Sequence, residues 1–369
     1  MYKLLALGPL PPPLTGTPVS FEIFCELAKK SPHIQKLIVV NTSPNFLKQQ
    51  RSFQFSPANI KQAVSIIYNF SINIRKIDSI LIFGSNGYVI SLAPILLLIA
   101  KINRKKCFFR VFGGALDQYI EGLRSPLRWL ALTTLRNFSG VIVQTKFMQN
   151  HFSQLLQNQS VYQIPGYRKP LSITTVKKKR TENLKLKVVF VGIVKKDKGI
   201  LVLLEAMRLL NEKMIDVELT VYGNIHEPIR EEFEQRIGEL TNTNYAGILD
   251  WQNVVETLSQ KDLLVLPTFY DSEGHPGVLI EAMMAGVPII STNFRSIPEI
   301  VTHGYNGLLV SPSSTPELTE AIEKLAHDRE LLSQLGTNNK SMSQEFTAEF
   351  LVDKILDIAL TRKMPSSQI

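Results

Sequence analysis

The chain has 369 residues, 44% apolar and 20% charged, which excludes wholesale disorder and favours two globular domains of roughly 180 residues each. Its two cysteines, Cys25 and Cys107, exclude a disulfide framework and a cysteine-based zinc site, and they favour a reducing cytoplasm. The formal net charge of +9 divides into +19 for residues 1–180 and −10 for residues 181–369. We therefore expect the N-terminal half to face an anionic surface or substrate, with simple drift in solvated lysines as the alternative.

No apolar run of the sequence is long enough to predict a signal peptide or a membrane-spanning helix. The N-terminus "MYKLLALGPLPPP" has too short an apolar run for the hydrophobic region of a signal peptide. The longest apolar run, "VISLAPILLLIA" at 89–100, is about half the length that spans a bilayer. We expect neither a secretory signal nor a membrane-spanning helix.

The N-terminal half alternates predicted strands with predicted helices. The strands, in chain order, are "YKLLALG", "IQKLIVVN", "DSILIFG", "CFFRVFGG" and "GVIVQT". Between them lie the helical patterns "PVSFEIFCELAKK", "SPANIKQAVSIIYNF", Tyr88 to about Lys101, and "SPLRWLALTTLR". The strands are continuous apolar runs, which indicates a parallel sheet with helices on both faces.

Residues 166–187 are basic and polar without helical periodicity, and they predict an interdomain linker. A second alternating series follows, with strands such as "KVVFVG", "DVELTVYG", "DLLVLPT" and "VPIIST". The whole pattern predicts an α/β protein with two doubly wound Rossmann-like domains, 1–165 and 188–345, facing each other across a cleft. Residues 346–369 predict a last helix that packs back on the N-terminal domain.

Five segments carry a resemblance to a known family. In chain order they are "GPLPPPLTG", "FVGIVKKDKGILVLLEAM", "DLLVLPT", "EGHPGVLIEAMMAGVPIIST" and "IPEIVTHGYNGLLV". Together they resemble the family-four retaining glycosyltransferases of the GT-B fold, including members of bacterial surface-polysaccharide biosynthesis. The resemblance implies that the N-terminal domain binds the acceptor and the C-terminal domain binds a nucleotide sugar. It also implies sugar transfer from a UDP- or GDP-linked donor, without a metal or other cofactor.

Two carboxylates, Glu273 and Glu281, flank the start of a predicted helix near Gly277. By resemblance, Glu281 accepts hydrogen bonds from the ribose hydroxyls, and a carboxylate suits a vicinal diol because it can take two donors. Glu273 would face the donor sugar and stabilise positive charge on it. An ordinary amphipathic helix with two solvated acids is the alternative.

The turn into this helix supplies the other donor-binding candidates. Backbone amides at a helix N-terminus can bind a diphosphate with help from the helix dipole, and glycines let the backbone approach the ligand. The candidates of this segment are Gly274, His275, Pro276, Gly277, Val278, Leu279 and Glu281.

The segment "GIVKKDKG" joins a predicted strand to a predicted helix and includes the donor-binding candidate Gly192. Lys198 matches the phosphate-binding lysine of the family, which implies that it neutralises charge on the departing diphosphate. The family usually has an arginine just after the glycine, and this chain has Ile193. Lys195, Lys196 or a residue of the other domain would have to supply the missing cation, unless both lysines are simply solvated.

The N-terminal half offers weaker candidates. Gly16 matches the glycine-bearing loop that, in the family, passes close to the donor diphosphate, and many relatives have a second glycine there. Many relatives also have a histidine near the turn "RVFGGALD", where this chain has Phe112. Possible acceptor contacts near this turn, unless a tight turn and a structural ion pair explain them, are Arg110, Gly113, Gly114 and Asp117.

The remaining patterns argue against other chemistry. Five histidines show no paired spacing, so no metal site is predicted: His33, His151, His226, His303 and His327. No serine–histidine–acid arrangement and no G-x-x-x-x-G-K-[ST] phosphate loop is found. The chain lacks the interleaved aromatic and basic residues of single-strand binders, which disfavours nucleic acid.

Two functions stay open at this point. The first is a metal-independent retaining glycosyltransferase of the hexosyltransferase type, acting on a saccharide or lipid-linked acceptor at the cytoplasmic face of an anionic membrane. The second is a catalytically inactive GT-B protein that binds a nucleotide sugar or a partner, which Ile193 and Phe112 motivate. Glu273, Glu281 and Lys198 argue against the second.

Overall fold

The protein is described here from a computed structural model that covers residues 1–12, 16–43, 57–157, 159–169 and 185–360. Two compact units are found: Met1–Lys169 with Thr347–Ile369 is unit 1, and Pro170–Phe346 is unit 2. Residues 170–184, which make up most of the predicted linker, lie outside the described residues, as do residues 13–15 of the segment "PPPLTGTP".

Unit 1 contains a six-stranded sheet in which every pairing is parallel. Its strand order is β2-β1-β3-β4-β5-β6. The first strand thus lies between the second and the third, as in a doubly wound sheet. The strands are β1 (Tyr2–Gly8), β2 (Ile34–Asn41), β3 (Ser79–Gly84), β4 (Lys106–Val111), β5 (Gly140–Val143) and β6 (Val161–Gln163).

Helices follow the strands of unit 1, and most of them pack on one face of the sheet. They are α1 (Gly16–Lys30), α2 (Pro57–Asn73), α3 (Leu92–Ile102), α4 (Leu116–Glu121), α5 (Ser125–Asn137) and α6 (Lys146–Leu156). The helix predicted from Tyr88 is shorter than expected, because a 3-10 turn at Asn86–Ile90 precedes α3. Pro94 lies in the first turn of α3, where its missing N–H has no intrahelical partner to lose. Over the described ranges, no helix combines the length and apolarity needed to cross a bilayer.

Unit 2 contains a second six-stranded parallel sheet, with the order β12-β11-β10-β7-β8-β9. Its first strand is central, and the chain crosses to the other side of that strand after β9. Ligands of such sheets bind beyond the carboxyl ends of the two strands at this reversal. The strands are β7 (Leu186–Val191), β8 (Val217–Tyr222), β9 (Thr243–Tyr245), β10 (Leu263–Leu266), β11 (Ile289–Thr292) and β12 (Gly307–Val310).

The strands of unit 2 are connected and covered by helices, with one continuous apolar core between the layers. These are α7 (Ile200–Glu212), α8 (Arg230–Gly238), α9 (Val254–Ser259), α10 (Gly277–Ala285), α11 (Thr315–His327) and α12 (Arg329–Met342). The prediction of two doubly wound α/β domains is therefore confirmed.

The last helix, α13 (Ala348–Ala359), belongs to unit 1 although it follows unit 2 in the sequence. It contacts α1, β3 and β4. The Ser79 hydroxyl donates a hydrogen bond to the carbonyl oxygen of Ala359, and the Ala348 amide donates to the carbonyl oxygen of Arg168 at 2.8 Å. The helix thus covers the sheet face opposite α2, α3 and α5.

Candidate active site

Two loops of unit 2 meet at the carboxyl edge of its sheet. Strands β7 and β10 are adjacent and parallel, so the loops that follow them, 192–199 and 267–276, leave at the same edge. The Phe269 amide donates to the carbonyl oxygen of Asp197 at 2.8 Å, and the Thr268 hydroxyl oxygen lies 3.3 Å from the same carbonyl oxygen. These contacts connect the two loops.

Glycines make this close approach possible. Gly199 has φ +78°, and a Cβ there would lie 2.1 Å from the carbonyl oxygen of Pro267. Gly223 is equally constrained, since a Cβ at this residue would lie 1.7 Å from the carbonyl oxygen of Gly192. A larger residue at either position would push the first loop away from its neighbours. At Gly192 itself a Cβ would meet only ordinary contacts, at 3.7 Å from the Phe190 ring.

The two candidate catalytic residues are in direct contact. The Lys198 ammonium forms an ion pair with the Glu273 carboxylate. The Thr268 hydroxyl donates to the same carboxylate oxygen at 3.1 Å. Both partners are largely sheltered, since only 16% of the Lys198 side chain and 9% of the Glu273 side chain are exposed. The arrangement concentrates one cation and one anion where the loops meet.

A tyrosine ring joins a second lysine to this pair. The Lys195 and Lys198 ammonium nitrogens lie 4.7 Å and 4.8 Å from the centroid of the Tyr270 ring. Both distances suit a cation–π interaction, which fixes the two charges relative to one aromatic face. Lys195 also pairs with Asp197 at 2.6 Å. Ile193 is exposed and takes no part in these contacts among the described residues.

Helix α10 begins at Gly277 with Pro276 as its N-cap. The Leu279 amide donates to the carbonyl oxygen of Pro276 at 3.1 Å, so this amide already has a backbone partner in the first turn. Gly277 and Val278 are partly exposed. Glu281 is also partly exposed and, one turn on from Gly277, lies on the same face of the helix.

The turn before α10 is held from inside the unit. The Ser296 hydroxyl donates to the carbonyl oxygen of Gly274, and its oxygen lies 3.3 Å from the carbonyl oxygen of Glu273. The His275 ring, one of the donor-binding candidates, has only 2% of its side chain exposed. Its Nε2 atom lies 3.4 Å from a Glu299 carboxylate oxygen, and its edge faces the Phe346 ring. His275 therefore packs within unit 2, where it positions the turn.

In unit 1, Gly16 is the first residue of α1, and its carbonyl oxygen accepts a hydrogen bond from the Ser20 hydroxyl at 2.8 Å. Among the described residues, a Cβ at Gly16 would meet only an Arg168 nitrogen, at 3.8 Å. The packing of these residues therefore does not demand glycine there. Close approach of a ligand remains the physical reason to expect one.

Arg110, a possible acceptor contact, is an interior residue. Its Nη2 atom donates to the carbonyl oxygen of Pro165 at 3.1 Å, and its guanidinium carbon lies 5.4 Å from the centroid of the Tyr167 ring. Burial lowers the pKa of the Arg110 guanidinium, with a smaller opposing effect from Tyr167. Its Nε and Nη1 atoms have no hydrogen-bond partner among the described residues. The structural ion pair considered as its alternative role is likewise not seen among them.

The neighbouring turn is built on an aromatic core. Phe112 is buried, and its ring lies 5.6 Å from that of Phe83, so packing accounts for an aromatic residue where a histidine was expected. Gly113 has φ +90°, a conformation that favours glycine. Gly114 is buried beside it. Asp117 is buried in the first turn of α4, where a carboxylate suits the helix dipole.

Several residues of the unit 2 site were not singled out from the sequence: Asp197, Thr268, Tyr270, Ser296 and Glu299. All five follow the carboxyl ends of β7, β10 or β11 within the next seven residues, the position at which parallel sheets bind ligands. That position is a signal that could have found them. Within the described ranges, no group of three His, Cys, Asp or Glu side chains is arranged to hold a metal ion.

Curated relatives match about half of this chain and about half of their own length. The chain is 28% identical over 213 residues to an uncharacterised glycosyltransferase of Methanocaldococcus jannaschii, covering 58% of this chain and 57% of that protein. It is 27% identical over 167 residues to the capsular polysaccharide biosynthesis glycosyltransferase CapM of Staphylococcus aureus, covering 45% of this chain and 43% of that protein.

Solved structures match nearly the whole chain. HepE of Anabaena, solved in complex with UDP, matches with a TM-score of 0.73 and 18% identity, covering 97% of this chain and 100% of that chain. Sucrose-phosphate synthase from Thermosynechococcus elongatus matches with a TM-score of 0.75 and 17% identity, covering 97% of this chain and 98% of that chain. At this level of identity the likeness establishes the fold, which is GT-B.

The sequence model of one family covers more than half of the chain. The model for glycosyl transferases group 1 matches residues 148–342, a range that includes β7, β10 and α10 together with Lys198, Glu273 and Glu281. The predicted resemblance is thereby confirmed at the level of the family, and the chain belongs to the glycosyl transferases group 1.

Proposed function

We propose that the protein is a retaining, metal-independent glycosyltransferase. It moves a hexose from a UDP- or GDP-linked donor to a saccharide or lipid-linked acceptor in cell-surface polysaccharide biosynthesis, and it needs no cofactor beyond the nucleotide-sugar co-substrate. The observation that carries the proposal is the convergence of Lys198, Glu273 and the start of α10 at the carboxyl edge of one sheet. The relatives in capsule biosynthesis and the UDP bound to HepE support the choice of pathway and donor.

In this proposal the start of α10 and Lys198 bind the diphosphate. The amides of Gly277 and Val278 point along the helix axis and carry its partial positive charge. Negative charge grows on the diphosphate as the glycosidic bond breaks, so an ammonium held close by stabilises the transition state more than the ground state. Glu281, one turn further, accepts hydrogen bonds from the ribose diol.

Glu273 would serve the donor sugar. Its carboxylate is sheltered, and electrostatic attraction to the positive charge that develops on the sugar is stronger at a sheltered site than in water. Thr268 holds the carboxylate through its hydroxyl, so Glu273 keeps its position when the donor draws Lys198 away. On the acceptor side, Gly16 and the turn with Gly113, Gly114 and Asp117 remain the candidates.

A catalytically inactive GT-B protein that binds a nucleotide sugar or a partner is the second candidate function. Ile193 favours it, because relatives usually place an arginine there. Lys195, which shares the Tyr270 ring with Lys198, argues against this function because it offers another cation in the same loop. Measured donor hydrolysis or transfer separates the two functions.

We further propose that the protein works in the cytoplasm, peripherally bound to the inner face of the membrane. The net charge of +19 on residues 1–180 suits an anionic lipid surface, and both cysteines are free and buried in unit 1. A lipid-linked acceptor would be presented at such a surface. No role with nucleic acid is proposed.

The test begins with thermal shifts in the presence of UDP, GDP, ADP and the matching monophosphates, because a ligand that binds only the native state raises its Tm. A diphosphate that stabilises the protein is expected, with or without a chelator. The corresponding nucleotide sugars are then assayed for hydrolysis and transfer, and the anomeric configuration of the product is read by NMR. Absence of any nucleotide-dependent shift would contradict the proposal, whereas binding without turnover would favour the second candidate.

A further inference from the structure

Helix α2 exposes a row of apolar side chains. The row repeats every fourth residue, which places its members along one side of the helix: Ile60, Val64, Tyr68 and Ile72. The opposite side, with Ile66 and Phe70, is buried in the core of unit 1. The helix therefore buries apolar side chains on its inner face and also exposes a row of them among polar residues on its outer face. An ordinary surface helix would place polar residues on the outside.

The neighbouring helices continue the same feature. On α3 the exposed apolar residues are Ile95, Leu98 and Ile102, spaced three and four apart, and Leu98 is 60% exposed. On α5 they are Leu127 and Trp129, and the tryptophan is 67% exposed. Large exposed indole and leucine side chains in one region mark an interaction surface rather than scattered exceptions.

These residues share one side of unit 1. Helix α2 contacts α3, and α3 contacts α5, while all three contribute to one apolar core on the same face of the sheet. Their outward sides therefore point away from the sheet together, opposite the face that α13 covers. We call this surface the apolar outer face, made of Ile60, Val64, Tyr68, Ile72, Ile95, Leu98, Ile102, Leu127 and Trp129.

Cations accompany the apolar outer face. Residues 57–137, from α2 to the end of α5, contain eleven Lys and Arg against three Asp and Glu. Exposed cations lie on or beside the three helices, at Lys61, Lys101, Arg104 and Arg128. Their side chains combine an apolar stem with a charged end, which suits a boundary between hydrocarbon and anionic groups.

We infer that the apolar outer face docks on an anionic lipid bilayer, with its apolar side chains in the boundary between headgroups and acyl chains and its cations on the phosphates. A second copy of the chain is a poorer occupant, because a face-to-face dimer would bring two basic surfaces together. A helix apolar on its outer side, flanked by lysine and arginine, can lie in the interface without spanning it.

The inference rests on the proposed function only in that a lipid-linked acceptor requires such a surface. The apolar run 89–100 and the basic stretch "KINRKK" at 101–106 contribute to this surface through α3 and the residues that follow it. Lys105 of that stretch donates a hydrogen bond to the carbonyl oxygen of Ile77 at 2.6 Å, so it supports the fold as well as the charge.

Sedimentation of the full chain with phosphatidylcholine vesicles, with and without phosphatidylglycerol, tests the inference. The parent is expected to bind only the anionic vesicles and to be released in part by high salt. The triple change Val64→Ser, Leu98→Ser and Ile102→Ser should weaken binding about tenfold or more. The matched control, Met214→Ser with Ile248→Ser, removes exposed apolar side chains from unit 2 and should bind like the parent.

Charge is tested separately. Lys61→Ser, Arg104→Asn and Arg128→Ser together should also weaken binding to anionic vesicles by about tenfold or more. Asn is chosen at residue 104 because Arg104 has φ +55°. The control changes Lys185, Lys213 and Lys324 of unit 2 to Ser, which lowers the net charge equally. Equal losses of vesicle binding in the two variants would show that net charge alone attracts the protein, and they would overturn the docking surface.

Tryptophan emission gives a readout that does not depend on affinity. The chain has two tryptophans, and Trp251→Phe leaves Trp129 as the only one. Emission of Trp129 should shift to the blue on anionic vesicles and should be quenched by brominated acyl chains. Vesicle binding with unchanged Trp129 emission, no binding at all, or a dimer in solution that buries Trp129 would each overturn the inference. None of these measurements uses a nucleotide, so their failure leaves the donor-binding test unaffected.

Discussion

Lys198 and Glu273 form an ion pair across 75 residues of sequence, between the loop after β7 and the loop before α10. The pair places the ammonium where the proposed donor diphosphate would bind. The Thr268 hydroxyl donates to Glu273, and the Tyr270 ring contacts Lys198. A diphosphate must therefore compete with Glu273 for Lys198. We expect donor binding to loosen this pair and to leave the carboxylate free to face the sugar.

Lys198→Ala should lower kcat more than it weakens donor binding. The reason is that charge on the diphosphate grows as the glycosidic bond breaks, so the lost ammonium matters most in the transition state. Steady-state kinetics and a separate measurement of donor Kd make the comparison. Lys196→Ala, an exposed lysine two residues away, is the control and should leave both unchanged. Normal kcat with weak donor binding in the Lys198 variant would show that Lys198 only holds the ground state.

Removal of Lys198 should also destabilise the free protein. Glu273 would remain sheltered without its cation, and a carboxylate in that situation costs free energy even with Thr268 still donating. The double variant Lys198→Ala with Glu273→Gln should recover part of the lost Tm. Thermal unfolding without nucleotide measures this, and no recovery in the double variant would mean that the ion pair contributes little to folding.

Glu281→Ala should weaken nucleotide binding and cut turnover about tenfold or more, since one charged hydrogen-bond acceptor contributes about 1.5–3 kcal/mol. Because Glu281 is partly exposed, the Tm of the free protein should change little. Calorimetry with the nucleoside diphosphate and its 2′,3′-dideoxy analogue checks the assignment. The analogue should bind parent and variant alike, and equal losses for both ligands would contradict a ribose contact.

Lys195→Ala should weaken binding of a nucleoside diphosphate about tenfold, while Lys196→Ala should not. Lys195 shares the Tyr270 ring with Lys198, so it can supply the cation that Ile193 does not. The Lys195→Ala variant should lose much less affinity for the nucleoside, because the nucleoside lacks the phosphates. Equal affinities of the two lysine variants would place the missing cation elsewhere in the chain.

The sequence predicts the fold well because its signals are local. Continuous apolar strands alternating with amphipathic helices specify two doubly wound sheets, and the segments around Lys198 and Glu281 specify the family. Strand order is not local. The placement of β10 beside β7 rather than beside β9 brings Lys198 to Glu273, and no pattern within either segment determines that pairing.

The differences at the site have physical reasons. His275 was expected to line a pocket because it lies inside the glutamate motif, yet Glu299 and Phe346 give its ring polar and apolar partners inside the unit. Arg110 was a possible acceptor contact, and the structure buries it beside Tyr167. On a strand covered on both faces, alternation does not reveal which charged residue points inward, so its burial had no sequence signal.

Both cysteines should resist alkylation in the native protein. Burial raises the pKa of Cys25 to about 12 and also raises the pKa of Cys107, with Lys29 partly opposing the effect at Cys25. The reactive species is the thiolate, so at pH 8.5 the native thiols should react far more slowly than the same thiols in urea. The pKa of Cys25 is higher in the native state than in the unfolded state. Its contribution to the free energy of unfolding is therefore fully present below the unfolded-state pKa and is lost as the pH rises towards 12. Rapid native-state modification by iodoacetamide at pH 8.5 would contradict the burial.

Arg110→Met separates a structural role of Arg110 from a functional one. The guanidinium is buried, two of its nitrogens have no partner among the described residues, and its hydrogen bonds reach only backbone carbonyls. Replacing such a charge by an apolar side chain of similar length removes a desolvation cost, so the Tm should stay equal or rise. Arg110→Ala is the comparison and should lower the Tm, because it leaves a cavity beside Tyr167. A Met variant as unstable as the Ala variant would show that the guanidinium's own hydrogen bonds hold unit 1 together. A stable Met variant that hydrolyses donor normally but transfers poorly would instead assign Arg110 to the acceptor.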